Sequence, residues 1–346
     1  MKVGWLTSSG ELSVTEEPAP VAGPGEVLVQ LAACGICGTD LEKVRGRYRT
    51  AHGILGHEAV GRIASLGSDV SGFAEGDRVF AHHHVPCYNC PVCARGAYTF
   101  CPEYGKTNLD PGGFADYFRV PRVNVERRAL LSLDPAVSWD AGTLLEPAAC
   151  AFTALRRVGF RTGDSIFLLG LGPVGLLYAR LARALGAGWI GGTELAELRR
   201  TAAELGGVAT YDPRDEAAVL EAVRSATHGA GVDLAVVATG APAAIHLGEK
   251  IARRGGTLNL FGLPEPGSQL ATDLQQLYLY GVEVVPTYAT TEPDIAEVHR
   301  LMADGKLPLG DLVTDHFALD QLSMAFAKAS RPTEAVKVVV TGDAFR

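Results

Sequence analysis

From residue 3 to about residue 125 the apolar positions come in short β-type runs, 27–33, 60–66, 78–81 and 114–120, broken by Gly and Pro. Such punctuation predicts a compact, mostly β unit. The pattern changes near Trp139: residues 141–158 are rich in Ala and Leu at helical spacing, and a continuous apolar run, 165–169, follows. Beyond it strands and helices alternate: 166–169, a helix from 174, 189–192, a helix from 196, 234–238, a helix from 243, and 257–262. Apolar strands separated by helices predict an α/β unit with a doubly wound parallel sheet. After Pro286 the spacing predicts helices over 294–304 and 319–330 and a last strand over 335–340.

A chain of 346 residues exceeds one comfortable core, so two domains are expected. The net charge of -8, from 39 acidic and 31 basic residues, offers no field for phosphate backbones or anionic lipid, which argues against nucleic acid and membrane partners. No apolar run reaches membrane-spanning length, and the N-terminus reads straight into a strand, so a cytoplasmic protein is expected. Seven cysteines, four of them within residues 87–101, suit metal ligation in a reducing compartment better than a disulfide framework.

Those four, Cys87, Cys90, Cys93 and Cys101, have the spacing C-x2-C-x2-C-x7-C. Four thiolates close a tetrahedral structural zinc site, although an iron-sulfur cluster uses the same donors. A second set is mixed. Cys37 in Gly-Ile-Cys-Gly-Thr-Asp and His57 in Gly-His-Glu each sit at the edge of an expected strand, and a thiolate with an imidazole and a carboxylate holds zinc with one position open. Glu146, an acidic residue in the apolar stretch Leu-Leu-Glu-Pro-Ala, is the expected third ligand, since an unpaired carboxylate there would be costly.

Gly170-Leu-Gly172-Pro173-Val174-Gly175 directly follows a strand and opens a helix, the context in which G-x-G-x-x-G cradles a pyrophosphate. Glu194, where the next strand should end, suits the ribose of NAD; Thr193 is a competing position, and Arg199 and Arg200 keep NADP open. Thr239, Gly240 and Gly262 fall at later strand ends, the carboxyl edge where such sheets bind ligands.

These motifs, with Pro24-Gly-Glu-Val-Leu-Val, Gly112-Gly-Phe-Ala-Asp-Tyr and Gly255-Gly-Thr in the same order, resemble the zinc-containing medium-chain dehydrogenase family over essentially the whole chain. The resemblance implies a GroES-like, β-rich catalytic domain of residues 1–150 and 286–346, carrying the metal loop 87–101, and a Rossmann NAD-binding domain of residues 151–285. It implies two zinc ions per chain: a catalytic one on Cys37, His57 and Glu146, with Glu58 a second-shell or alternate ligand, and a structural one on the four cysteines. Glu at position 146 looks like the polyol, sugar and threonine dehydrogenases more than the simple alcohol dehydrogenases.

The expected reaction moves a hydride from an alcohol, polyol or sugar to NAD(P). Thr39 is the expected first partner of the reacting oxygen, and Glu42 is either a proton relay or a solvated helix residue. Tyr48, Lys106, Asn108 and Tyr288 are pocket candidates, and a homotetramer or dimer is expected. The alternatives are a non-catalytic dinucleotide-binding descendant of the fold and a zinc-free quinone or enoyl reductase.

Overall fold

The computed structural model describes residues 1–47, 53–269, 272 and 274–345. The chain divides into two compact units: Met1–Ala149 with Thr290–Arg331 and Lys337–Arg346, and Cys150–Ala289 with Pro332–Val336.

In the first unit β1 (Lys2–Leu6) and β2 (Leu12–Glu16) form an antiparallel ribbon. β3 (Val27–Gly35), β4 (Glu58–Leu66), β5 (Arg78–Ala81), β6 (Tyr117–Val120) and β7 (Leu130–Ser132) follow. β3 pairs antiparallel with both β4 and β6. Val27, Val29, Leu31 and Ala33 alternate along β3 and are all buried, as a period of two requires for a strand with one face in the core.

The expected helix over 141–158 is two helices, Trp139–Thr143 and Leu145–Arg157, meeting at Leu144. Pro147 explains the break: its ring excludes a continuous helix through the residue four positions earlier, yet is tolerated in the first turn of a new one. Ser138 Oγ caps the first of the two by accepting from the Ala141 amide at 3.1 Å.

The second unit holds β8 (Ser165–Leu169), β9 (Trp189–Thr193), β10 (Ala209–Tyr211), β11 (Val232–Val237), β12 (Ala252–Leu260) and β13 (Glu283–Pro286), all parallel in the order β10-β9-β8-β11-β12-β13. The order reverses between β8 and β11, the switch point at which doubly wound sheets bind dinucleotides. Phe167, Leu169, Val219, Val223, Ala235 and Leu258 form the core beneath it, with Trp189 and Tyr211 packed beside the Phe167 ring.

The chain then returns to the first unit, where β14 (Val313–Ala318) and β15 (Lys337–Thr341) complete a sheet of order β14-β15-β3-β4-β5-β7, with β6 also on β3. β2, β7, β10, β13 and β14 were not expected. Each is short or at a sheet edge and only partly buried, so none carries the apolar run that marks a core strand. Among the described residues no helix is long and apolar enough to cross a membrane.

Phe167 is fully buried. Phe167→Ala is expected to destabilise the second unit by about 3–5 kcal/mol through the cavity it leaves, read as a lower urea midpoint; a shift of under about 1 kcal/mol would show that Trp189 and Tyr211 collapse into the space.

Candidate active site and dinucleotide loop

The four-cysteine segment is a lobe of short 3-10 turns, Cys93–Arg95 and Tyr98–Phe100, that folds the sulfurs onto one another. Cys87 Sγ lies 4.0 Å from Cys93 Sγ and 3.5 Å from Cys101 Sγ, and Cys90 Sγ lies 3.9 Å from Cys101 Sγ. A tetrahedron of sulfurs at zinc-thiolate bond length has edges of about 3.8 Å, so the four residues fit a single ion without rearrangement. Backbone amides of Cys87 and Glu103 donate to Cys101 Sγ, and that of Cys93 donates to Cys90 Sγ, which favours thiolates. Hydrogen bonding to the Asn89 backbone brings the Cys87 thiol down to about 6, whereas burial holds Cys93 up at about 12. Closing all four on a cation is what makes the second thiolate favourable.

The mixed set is assembled by strand register. Gly35 of β3 faces Glu58 of β4, and Val339 of β15 faces Gly35 from the other side, so Cys37, His57, Glu58 and Lys337 converge at one end of the sheet. Cys37 Sγ, a His57 ring nitrogen and a Glu58 carboxylate oxygen lie within 4.8 Å of one another. Glu58 and Lys337 form an ion pair with both side chains buried. Gly35 must lack a side chain for that pair to exist, because a Cβ there would overlap Glu58 Oε2 and lie 2.9 Å from Lys337 Cε. Burial raises the Glu58 carboxyl against the pull of Lys337 and His57, while Glu58 outweighs burial at Lys337 and keeps the ammonium charged.

Asp40, fully buried in the helix Gly38–Val44, ties this set together. It accepts from the Cys37 amide at 3.3 Å and the Gly56 amide at 3.4 Å, and its Oδ1 stands 3.6 Å from His57 Nδ1. Burial alone would raise Asp40, but His57 and Lys43 hold it well below the usual carboxylate range; Asp40 and then Cys37 likewise outweigh burial to raise His57. A carboxylate on one ring nitrogen leaves the other to a metal.

The expected ligands fall into two adjoining groups, and Glu146 lies near enough to act on the charges of Glu58 and Lys337. Glu146, in the first turn of the helix Leu145–Arg157, groups with His82 and His83 within 4.8 Å, while the carboxylate beside Cys37 and His57 is Glu58. The reason is local: Glu58 opens β4 next to His57, whereas the start of a helix delivers Glu146 beside the segment after β5. The two groups adjoin, for the His57 and His83 rings stand 4.7 Å apart.

Thr39 is half-buried in the first turn after Cys37. Glu42 is half-buried, ion-paired with Arg45 at 2.7 Å, and lies 3.7 Å from Arg47. Lys106 is exposed and paired with Glu103, Asn108 Oδ1 accepts from the Leu109 amide, Tyr288 is exposed, and Tyr48 lies outside the described residues. Sequence reasoning passed over Asp40, His82, His83 and Lys337. The run His82-His83-His84 before Cys87 was the visible signal for two of them; nothing in the sequence ties Lys337 to Glu58.

In the second unit Gly172 caps the helix Pro173–Ala184 without a side-chain bond, leaving the first-turn amides to a ligand, and Pro173 occupies the first turn beside Val174. Gly175 is held to glycine by a close approach: a Cβ would overlap the Gly170 carbonyl oxygen. Glu194 follows β9 and accepts from the amides of Leu171, Leu195 and Ala196 at 3.2, 2.8 and 3.1 Å. Thr193 is instead a buried residue of the strand. Arg199 packs against the glycine loop, its Nη1 3.4 Å from where a Gly172 Cβ would stand. Thr239, Gly240 and Gly262 meet just past the ends of β11 and β12, where the Gly262 amide donates to the Val237 carbonyl at 2.8 Å.

The fold and these two sites define an oxidoreductase of the dehydrogenase class. Models of an alcohol dehydrogenase GroES-like domain and of a zinc-binding dehydrogenase match residues 23–128 and 173–304. The chain is similar to a sorbitol dehydrogenase of Bacillus subtilis, 33% identical over 98% of this chain and 97% of that one. It is similar also to an L-threonine 3-dehydrogenase of Pyrococcus abyssi, 33% identical over 90% of each. A Sinorhizobium meliloti structure solved with NADP bound matches at 27% identity, TM-score 0.87 and 98% of each chain. The chain belongs to the zinc-containing medium-chain dehydrogenase family.

Lys337→Met is expected to cost about 3–5 kcal/mol, because it strands the buried Glu58 charge, and Glu58→Gln in the same chain should restore much of the loss. Thermal denaturation of the two single variants and the double variant reads this; additive losses would show that the pair is not coupled.

Proposed function

We propose that the chain is a zinc-dependent dehydrogenase that transfers a hydride from the carbinol carbon of a hydroxyl-bearing small molecule, a polyol or sugar rather than an alkyl alcohol, to NAD. The observation that carries this is the convergence of Cys37, His57 and Glu58, three donors of different type, in a family of zinc-binding dehydrogenases. Three protein ligands leave a zinc ion a position for substrate, whereas the four-cysteine lobe leaves none. This gives two zinc ions per chain, one for chemistry and one for structure.

Zinc held at the mixed set supplies a Lewis acid that makes a substrate hydroxyl easier to deprotonate. The chain's own residues do the rest. Asp40 fixes the His57 ring and the Cys37 backbone, so the donors do not reorganise during the reaction. Lys337 offsets the negative charge that Glu58 adds to the thiolate. Thr39, next in the chain but one after Cys37, takes the hydrogen bond of the reacting hydroxyl and passes its proton outward. Glu42 has no part in this step, being engaged by Arg45.

For the cofactor, the first-turn amides after Gly172 bind the pyrophosphate, and Glu194 at the end of β9 accepts from the adenosine ribose and repels a 2'-phosphate. The polyol reading is supported by the similarity to a sorbitol dehydrogenase and by the polar lining at His82, His83 and Glu146.

Zinc analysis of the purified chain is expected to give two ions, and Cys37→Ser to keep one of them while losing at least about 1,000-fold in turnover; full activity in Cys37→Ser would end the proposal. Reduction of NAD and NADP, measured against polyols, aldoses, threonine and secondary alcohols, is expected to favour NAD at least about 10-fold. A reversed preference would show that Arg199 and Arg200, not Glu194, set the choice.

A further inference from the structure

We infer that His82 is a specificity-determining residue, whose Nε2 accepts a hydrogen bond from a second hydroxyl of the substrate, adjacent to the one that reacts. The inference rests on the dehydrogenase reading above and names what distinguishes its substrate from a plain alcohol.

His82 follows β5 and is fully buried. Its Nδ1 lies 2.8 Å from Glu292 Oε1, and the other oxygen of Glu292 accepts from the Tyr88 hydroxyl. A carboxylate only accepts, so His82 Nδ1 donates to it and Nε2 is the ring atom left to meet a ligand. That nitrogen is buried with no hydrogen-bond partner among the described residues, as is Nδ1 of His83. Buried polar atoms are left unpartnered rarely, and at a site they mark where a ligand's polar group belongs.

The segment is also held still. Asn124 Nδ2 donates to the carbonyls of His82 and His83 at 2.9 and 3.0 Å, the His82 amide donates to Ala129 at 2.8 Å, and Thr107 Oγ1 donates to the His83 carbonyl at 3.1 Å. Tyr88 adopts a left-handed backbone, φ 59°, which a bulky residue rarely does, and its hydroxyl reaches Glu292 from there. Each restraint fixes the direction in which His82 Nε2 points.

What it faces is a hydroxyl rather than a second cation. His82, His83 and Glu146 each place one donor atom within 4.8 Å of the others, a span that an oxygen can fill at about 2.8 Å from each. The His83 ring stands 4.7 Å from that of His57, so the position adjoins the reacting centre. Lys337 and the proposed zinc already supply positive charge there, whereas a neutral hydroxyl donates to one acceptor and accepts in return. Nε2 needs a donor, and an alkyl alcohol has none to give it once its single hydroxyl is engaged.

The test compares 2,3-butanediol with 2-butanol, which differ by one hydroxyl, in wild type, His82→Leu and Tyr88→Phe. The ratio of kcat/KM for diol over monoalcohol is expected to fall about 30-fold in His82→Leu and about threefold in Tyr88→Phe, with zinc content at the wild-type value. An unchanged ratio with zinc retained would overturn the inference, the position then holding a water only. Loss of zinc in His82→Leu would overturn it too, making His82 a metal ligand. A wild-type chain that oxidises neither alcohol nor any of the panel above would sink the dehydrogenase reading itself, and this inference with it.

Discussion

The end of the first unit's sheet that carries the proposed catalytic residues depends on one missing side chain, that of Gly35. This residue is the register point of three strands: it faces Glu58 on β4 and Val339 on β15. Without a Cβ, Glu58 and Lys337 meet across it and pair out of water. The pair allows an extra carboxylate beside Cys37 and His57, since a buried carboxylate with no cation would take up a proton instead. It also couples residues from opposite ends of the sequence, so the C-terminal return of the chain is part of the site rather than a cover for it.

On the proposed reading, the two cysteine-bearing sites separate the uses of a metal. In the lobe, four sulfurs all within 4.8 Å of one another, with amides donating to two of them, leave room for an ion and nothing else. At Cys37 the donors differ in type, and each is backed by a charged neighbour, Asp40 behind His57 and Lys337 beside Glu58. Donors that are individually restrained can hold an ion while one position exchanges, which is what chemistry at that ion demands.

Much of this was legible in the sequence because the signals are local. The cysteine spacing, the glycine loop after an apolar strand and the β-to-α/β change near Trp139 each sit in a few consecutive residues. The apolar strands β8, β11 and β12 follow from their runs alone. What was not legible depends on register or on partners far along the chain. Glu58 and Glu146 are both acidic residues in apolar surroundings, and it is the pairing of β3 with β4 that groups Glu58 with Cys37 and His57 while Glu146 groups with His82 and His83. Nothing local to Glu42 in the sequence shows that Arg45, one helical turn on, pairs with it. The edge strands β10, β13 and β14 escaped because partial exposure removes the apolar run by which a strand is recognised.

Two carboxylate-imidazole pairs therefore face adjoining positions, and their difference is instructive. Asp40 sits 3.6 Å from His57 beside Cys37, and Asp40 also takes two backbone amides, so its charge is shared among several donors. Glu292 sits 2.8 Å from His82 and, among the described residues, shares its charge otherwise with a tyrosine hydroxyl, which concentrates that charge on the ring. The first arrangement suits an imidazole that gives its free nitrogen to a cation, where too strong a pull on Nδ1–H would add negative charge to a set already holding thiolate and carboxylate. The second suits an imidazole that meets a neutral partner, where a stronger pull makes the free nitrogen a better acceptor. The strength of each carboxylate contact thus matches the charge of what its histidine faces, and it follows that exchanging the two carboxylate environments would weaken both positions.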